Sequence, residues 1–327
     1  MLKKILIAIG IALLIFIAFV YSRVQPSGDI NDYQAYYTND QSPPDSNAVK
    51  VTFFGATTLL FDDGETQLLI DGFFSRPTMF RVLTTAIQSD TAMIDRILAE
   101  NNMNLVKGIF VAHSHYDHSF DVAYTTKKTG ATLYGSPGTL NIARGGNVSE
   151  SQLSAYQPNQ ELNIGQFIVR VIPSKHSPGN AQNDDGISID TILKQPARYK
   201  SYTEGGSFDF LISHHGKNIY IKPSPNYIEG ALDTTRADAL FIGIGIVTKQ
   251  PPEWQQAFYN QTVGKLRPSV VVPIHWDDFF YPASENLQML PRFVSKGPEE
   301  FDFFINKTKA DKIDFKILQG KKSILIK

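Results

Sequence analysis

Three imidazoles and a carboxylate fall within six consecutive positions, His113-Ser114-His115-Tyr116-Asp117-His118, directly after the apolar run Phe110-Val111-Ala112. Imidazole nitrogen and carboxylate oxygen are donors that a borderline cation such as zinc accepts well. Packed into a core, each of these groups would need its own polar partner. The pattern therefore points to a metal site. The chain has seven histidines. Two more, His176 in Pro173-Ser174-Lys175-His176 and His275 in Val272-Pro273-Ile274-His275, also follow apolar, β-like runs, so five of the seven are ligand candidates. His214 and His215 are set apart: the Gly216 and Asn218 that follow read as a hairpin turn. No cysteine occurs, so disulfides and thiolate ligands are excluded and any metal must sit on His and carboxylate groups.

Such side chains need strands to aim them. After Val49, short runs rich in Val, Ile and Phe alternate with longer polar-apolar segments, the pattern of strands interleaved with helices in an α/β chain. Strands are expected at Val51–Phe54, Thr58–Phe61, Leu68–Asp71, Val106–Ala112, Ala131–Gly135, Phe167–Pro173, Phe208–Ser213, Asn218–Ile221, Ala239–Ile244 and Ser269–Ile274. Helices are expected at Thr91–Asn101, His118–Thr129, Pro252–Leu266 and Ser284–Phe293. With 327 residues, 42% of them hydrophobic and 19% charged, the chain can bury one large core. A net charge of −1 without a dense Lys/Arg patch argues against nucleic acid as a main partner.

His113-Ser114-His115-Tyr116-Asp117-His118 matches the H-x-H-x-D-H signature of the metallo-β-lactamase superfamily, and the chain resembles that family from about Val51 to its C-terminus. The resemblance implies an αββα sandwich of two mixed sheets with outer helices and the metal site at one edge. By the family's pattern, His113, His115 and His176 would form one site and Asp117, His118 and His275 a second. Zinc is the expected metal, as one or two ions, with iron or manganese as alternatives. Three protein ligands leave a position for water, whose pKa falls to about 7, making hydroxide available at neutral pH. Asp117 would orient that water and pass its proton to the leaving group. The implied activity is hydrolysis of an ester, lactone, amide or phosphodiester. Pro273-Ile274-His275-Trp276 is most similar to the branch of ascorbate-phosphate lactonases and N-acylphosphatidylethanolamine-hydrolysing phospholipase D enzymes.

Two departures stand out. Where the family places a bridging Asp, Ile219-Tyr220-Ile221 is followed by Lys222-Pro223-Ser224-Pro225, and Ser224 falls at the carboxylate's place. A normal dinuclear site and a single-metal or lopsided one both remain open, with Asp190, Glu229 or Asp233 as substitutes. The related branch also commonly reads Gly-His-Ala-Thr where this chain has Gly55-Ala56-Thr57-Thr58. The alternative to a hydrolase is a catalytically impaired member that binds metal or ligand. Asp71 is expected to brace the site through hydrogen bonds, with Trp276, Asp277 and Asp278 beside His275.

Lys3 and Lys4 precede an apolar run from Ile5 to Tyr21, followed by Arg23. As a helix this run spans about 25 Å, near the roughly 30 Å of a hydrocarbon core. It reads as an uncleaved anchor or a cleaved signal. The lysines favour a cytoplasmic N-terminus and an extracytoplasmic domain. Three regions follow: 1–24 as anchor or signal, 25–48 as linker or surface arm, 49–327 as the catalytic domain. Asn180 to Gly206 is the least regular stretch, and with Tyr199 and Tyr202 it is the candidate for contact with a small-molecule or lipid-like substrate.

Overall fold

A computed structural model describes residues 1–44, 48–157, 160–179, 184–282 and 284–327. Its strands, in chain order, are β1 Val49–Phe53, β2 Leu59–Asp62, β3 Gln67–Ile70, β4 Val106–Phe110, β5 Thr132–Gly135, β6 Leu153–Ala155, β7 Glu161–Ile164, β8 Phe167–Pro173, β9 Phe208–His214, β10 Lys217–Lys222, β11 Ala239–Gly243, β12 Val270–Ile274, β13 Asp314–Phe315 and β14 Lys322–Ile326. They form two sheets of seven, in the orders β14-β1-β2-β3-β4-β5-β6 and β13-β12-β11-β10-β9-β8-β7. Each sheet is antiparallel in one half and parallel in the other, the change falling after β3 in the first and after β10 in the second. This is the αββα sandwich expected from the resemblance.

Alternation along the strands explains the layers, because successive side chains leave a strand on opposite faces. Leu59, Phe61, Leu68, Ile70 and Phe110 join the cluster between the sheets, together with Val169, Ile212, Ile221 and Phe241 from the second sheet. Their neighbours Leu60, Leu69 and Ile109 turn outward to the helices Thr91–Glu100, Val122–Thr129 and Pro137–Gly145. Phe61 meets Phe241 edge-on across the gap at 6.2 Å. Truncating either to Ala costs about 3–5 kcal/mol. Asp90 caps the first of these helices through Met93 N–H at 3.0 Å, and Ser136 caps the last, which carries Pro137 at its first position.

The sequence reading differs from the structure in instructive places. The helix expected at His118–Thr129 is broken into Tyr116–Ser119 and Val122–Thr129, and that at Pro252–Leu266 is broken at Thr262. Ser284–Phe293 is not a helix. Its backbone pairs with other segments instead, Asp278 N–H donating to Gln288 O at 2.8 Å, Leu290 N–H to Trp276 O at 2.9 Å and Arg292 N–H to Gln25 O at 3.0 Å. Leu287, Met289 and Leu290 are buried on it, and Pro291 is incompatible with a helix interior. The helix instead follows at Gly297–Ala310, with Pro298 in its first turn, Glu299 and Glu300 near its start and Lys307 and Lys309 near its end. The turn after β9 is as read, with His215 and Gly216 both at positive φ. At the N-terminus, Leu2–Val24 is one helix with no buried residue, and Ile30–Tyr36 packs a short 3-10 turn on the domain through Ile30.

Candidate metal centre

The strands that carry the candidate ligands all leave the sandwich at one edge. β3 and β4 are parallel, as are β10, β11 and β12, and β8 runs with them because two antiparallel steps separate it from β10. Their carboxyl ends deliver Asp71, the His113–His118 segment, His176 and His275. His113, His115 and His176 place ligand atoms within 4.8 Å of one another, and Asp117, His118 and His275 do the same. The six residues named from the sequence are thus brought into two adjoining triads, with the His113 and His118 ring centres 3.8 Å apart.

The donor set fits a metal. Both ring nitrogens of His113 and Nε2 of His118 are buried without a hydrogen-bond partner among the described residues, a costly condition for imidazoles unless something else occupies them. Asp117 Oδ2 lies 3.4 Å from His275 Nε2 and 3.7 Å from His118 Nε2, long for hydrogen bonds but apt for groups converging on a third body.

Electrostatics separate the triads. Burial, then repulsion from His118, His176 and His115, holds His113 well below the usual imidazole range. Burial and the neighbouring rings His115 and His118 push His176 down to about 3. Both rings are therefore neutral with lone pairs to offer. His118 goes the other way: burial opposes its charge, yet Asp71 and Asp117 overcome that and raise its affinity for a proton. For Asp117, burial works against ionisation, but His118, His275 and His115 prevail and hold its carboxyl far below the usual range.

Behind the ligands stands a shell of buried partners. Asp71 faces His118 Nδ1 at 2.8 Å and accepts from Ala112 N–H at 2.8 Å and from the Thr57 hydroxyl. It thereby fixes His118 with Nε2 toward the triad, the bracing expected of it. Asp277 forms a fully buried ion pair with Arg76 at 2.9 Å and accepts from Ala56 N–H at 2.7 Å. Ala56 O in turn accepts from His275 N–H at 2.7 Å, holding that residue at φ +54°. The Gly55-Ala56-Thr57-Thr58 loop, without the related branch's histidine, thus positions one ligand through Ala56 and another through Thr57. Gly55 sits at φ +89°, and a Cβ there would strike Arg76 and Asp277.

One functional partner escaped the sequence reading. Asp184, buried, faces His115 Nε2 at 3.0 and 3.2 Å through its two oxygens. Its only signal was its place in the polar stretch after His176. Ser224 is buried just past β10. The substitutes considered for the missing bridge are elsewhere: Asp190, Glu229 and Asp233 are exposed, and Asp233 pairs with Lys265 at 2.7 Å. Among the described residues no carboxylate joins the two triads as a shared ligand. Of the two tyrosines, Tyr199 lines the site's cavity, whereas Tyr202 is fully buried, packed on Phe120 and bonded through its hydroxyl to Gln195 at 3.1 Å. Residues 180–183 of that segment lie outside the described residues. The cavity, about 530 Å³, has His115, Asp117, His176 and His275 at one end and Val82, Leu83, Tyr116, Phe279, Leu290 and Phe293 along its walls.

Two mixed sheets in this order, with histidines and an aspartate gathered at one edge, define the metallo-β-lactamase superfamily. The chain belongs to it: the Beta-lactamase superfamily domain matches residues 66–276. It is similar to a UPF0173 metal-dependent hydrolase of Heliobacterium modesticaldum, 25% identical over 236 residues that cover 70% of this chain and 83% of that one. In fold it resembles Igni18, a metallo hydrolase of Ignicoccus hospitalis, at 14% identity and TM-score 0.50 over 86% of this chain and 99% of that one. It also resembles the metallo-β-lactamase fold protein YhfI of Bacillus subtilis, at 12% identity and TM-score 0.53 over 86% and 100%. CmlA, a diiron β-hydroxylase of Streptomyces venezuelae, shares the fold at 12% identity and TM-score 0.54 over 88% of this chain and 55% of CmlA. The protein is a metal-dependent hydrolase of this superfamily.

Proposed function

We propose that the protein hydrolyses an ester, lactone, amide or phosphodiester bond of a small-molecule or lipid-like substrate, with His113, His115 and His176 holding one metal and Asp117, His118 and His275 a second. The observation that carries this is the pair of triads, with partnerless buried imidazole nitrogens, at the end of one cavity. A metal held there would supply Lewis-acid polarisation of the scissile oxygen and would acidify a water, for zinc to a pKa of about 7. The chain's own groups do the rest. Asp117, the ionised carboxylate that lines the cavity, orients the attacking water and takes up its proton for the leaving group. Asp71 and Thr57 keep the His118 ring from turning, and apolar side chains line the approach to the triads. Tyr116, whose buried hydroxyl has no partner among the described residues, is a neutral donor beside the site, since burial first and then Asp117 raise it well above its usual range.

The test is turnover of ester, lactone and phosphodiester reporters by metal-loaded protein, with elemental analysis of metal per chain. Chelator and His115→Ala should each abolish turnover. Stoichiometric metal with no turnover on any reporter would instead support the impaired binding protein that the Ser224 substitution suggests. In that case Ser224→Asp should raise the metal content toward two.

For the chain as a whole we propose the three regions 1–24, 25–48 and 49–327, with the first as a membrane anchor and the metal edge outside the cytoplasm. Lys3 and Lys4 before the run and the 23-residue length of Leu2–Val24 support this. Recovery of the full chain in the soluble fraction, trimmed near residue 24, would favour a cleaved signal.

A further inference from the structure

The helix Leu2–Val24 is not merely a leash. At about 1.5 Å per residue its 23 residues reach about 35 Å, enough for a hydrocarbon core, and none of them is buried on the domain. Where it ends, the chain is pinned. Phe293 N–H donates to Arg23 O at 3.1 Å, Arg292 N–H to Gln25 O at 3.0 Å and Ser27 N–H to Leu290 O at 2.9 Å, with Pro26 paired antiparallel to Pro291. The segment that receives it also lines the cavity, through Leu290, Phe293 and Val294.

The short helix Met79–Thr84 lines the same cavity through Met79, Val82 and Leu83. Phe80 on it is 74% exposed, Leu83 55%, and Phe293 is 40%. Large apolar side chains bared around one opening mark a contact surface. Cations ring them: Arg81 and Arg292 are exposed, and Lys249, itself in the lining, donates to Phe293 O at 2.8 Å. Apolar residues within a basic collar fit an anionic leaflet, apolar groups among the acyl chains and cations at the headgroups.

We propose that the cavity mouth, rimmed by Phe80, Leu83 and Phe293, rests on the leaflet from which the N-terminal helix emerges and admits the hydrocarbon part of a membrane amphiphile, whose polar scissile group reaches the triads. The rigid pairing of residues 23–27 with 290–293 supplies the reason: the rim is bonded to the residue at which the helix ends, so an inserted helix brings the mouth to the interface. The substrate half of this inference rests on the hydrolase reading above; the docking half does not.

The absence of cysteine makes the test clean, since Phe80→Cys, Leu83→Cys, Phe293→Cys and, as a remote control, Ile168→Cys each give a single thiol for an environment-sensitive fluorophore in the full chain. In phosphatidylglycerol-containing vesicles, the three rim probes should shift to the blue and lose emission to a nitroxide-bearing lipid, while the Ile168 probe on β8 responds to aqueous iodide. Phe80 is outside the cavity lining and largely exposed, so its variant keeps the test open if another fails to fold. Rim probes as accessible to iodide as the control, in vesicle-bound protein, overturn the docking, and so does a chain that does not bind vesicles. For the substrate half, kcat/KM on a series of acyl esters should rise about fourfold per methylene while the chain fills the cavity. A flat series in an active enzyme overturns the amphiphile, whereas no turnover on ester, lactone, amide and phosphodiester reporters alike, with the rim probes still quenched, counts against the hydrolase reading alone.

Discussion

The two triads solve one problem by opposite means. In the first, His113, His115 and His176 supply three imidazoles and no carboxylate ligand. The negative charge lies behind them, where Asp184 meets His115 and Asp185 Oδ1 stands 3.6 Å from His176 Nδ1. In the second, Asp117 is itself a ligand candidate, and Asp71 adds a carboxylate behind His118. At the first triad, burial keeps His113 and His176 neutral. At the second, burial opposes a charge on His118, but Asp71 and Asp117 outweigh it and raise the ring's affinity for a proton. A dication there competes with a proton for His118 more than it does at the first triad, where burial lowers the proton affinity of His113 and His176. The first triad should therefore bind the tighter metal and the second the weaker.

Removing Asp117 gives the largest expected effect. Asp117→Asn keeps the shape and deletes both a ligand charge and the proton acceptor. Turnover should fall by about 10² to 10⁴, and metal per chain should drop toward one if the triads are independent. Loss of both metals together would break the comparison by showing a single coupled site.

Asp71→Asn comes next. Asp71 is buried and takes three hydrogen bonds, so an amide there cannot accept from Ala112, Thr57 and His118 alike. The second metal should weaken by about 100-fold, the upper end for loss of a ligand's supporting partner. The first should change little, as competitive titration with a chromogenic chelator can show.

How far the sequence carried this reading follows from what each signal depends on. The six ligand candidates were legible because local density and strand context survive folding: a ligand at a strand's carboxyl end is set by the strand. The sandwich was legible through the motif, and β8 and the helix at Thr91 through periodicity. Ser284–Phe293 misled because its apolar residues suit a helix, yet their burial is decided by Trp276 on one side and Arg23–Ser27 on the other, pairings no local pattern encodes. Asp184 was invisible for the same reason, since nothing local ties it to His115. Tyr202 looked like a binding residue because its loop is irregular, but the loop is packed inward by Ile189 and Ala197.

Two buried carboxylates sharpen the contrast further. Asp117, among histidines, is held ionised. Glu300, whose nearest hydrogen-bonding partner is the Ser295 hydroxyl, is pushed up to about 7, first by burial. In the unfolded chain a glutamate gives up its proton near 4.5, so between about 4.5 and 7 the folded state binds more protons and stability falls as pH rises. The loss should approach about 3 kcal/mol. Glu300→Gln should flatten the profile across that window in denaturant melts of the metal-free protein. An unchanged slope would assign it to another group.

The smallest effect is the most discriminating. An imidazole whose Nε2–H donates to Asp184 keeps its lone pair on Nδ1, so this carboxylate selects the nitrogen that His115 offers. In Asp184→Asn the amide oxygen still accepts that hydrogen bond, but the charge that strengthens the ring as a donor is gone. The first metal should weaken by about tenfold, the lower end for such a change, while the second holds its affinity and the reporter KM stays put with metal in excess. Asp184→Ala should weaken it further, because the tautomer is then unpinned. If the weaker metal were the one affected, Asp184 would be acting across the centre in place of the carboxylate missing at Ser224, and the two triads would have to be treated as a single site sharing that charge.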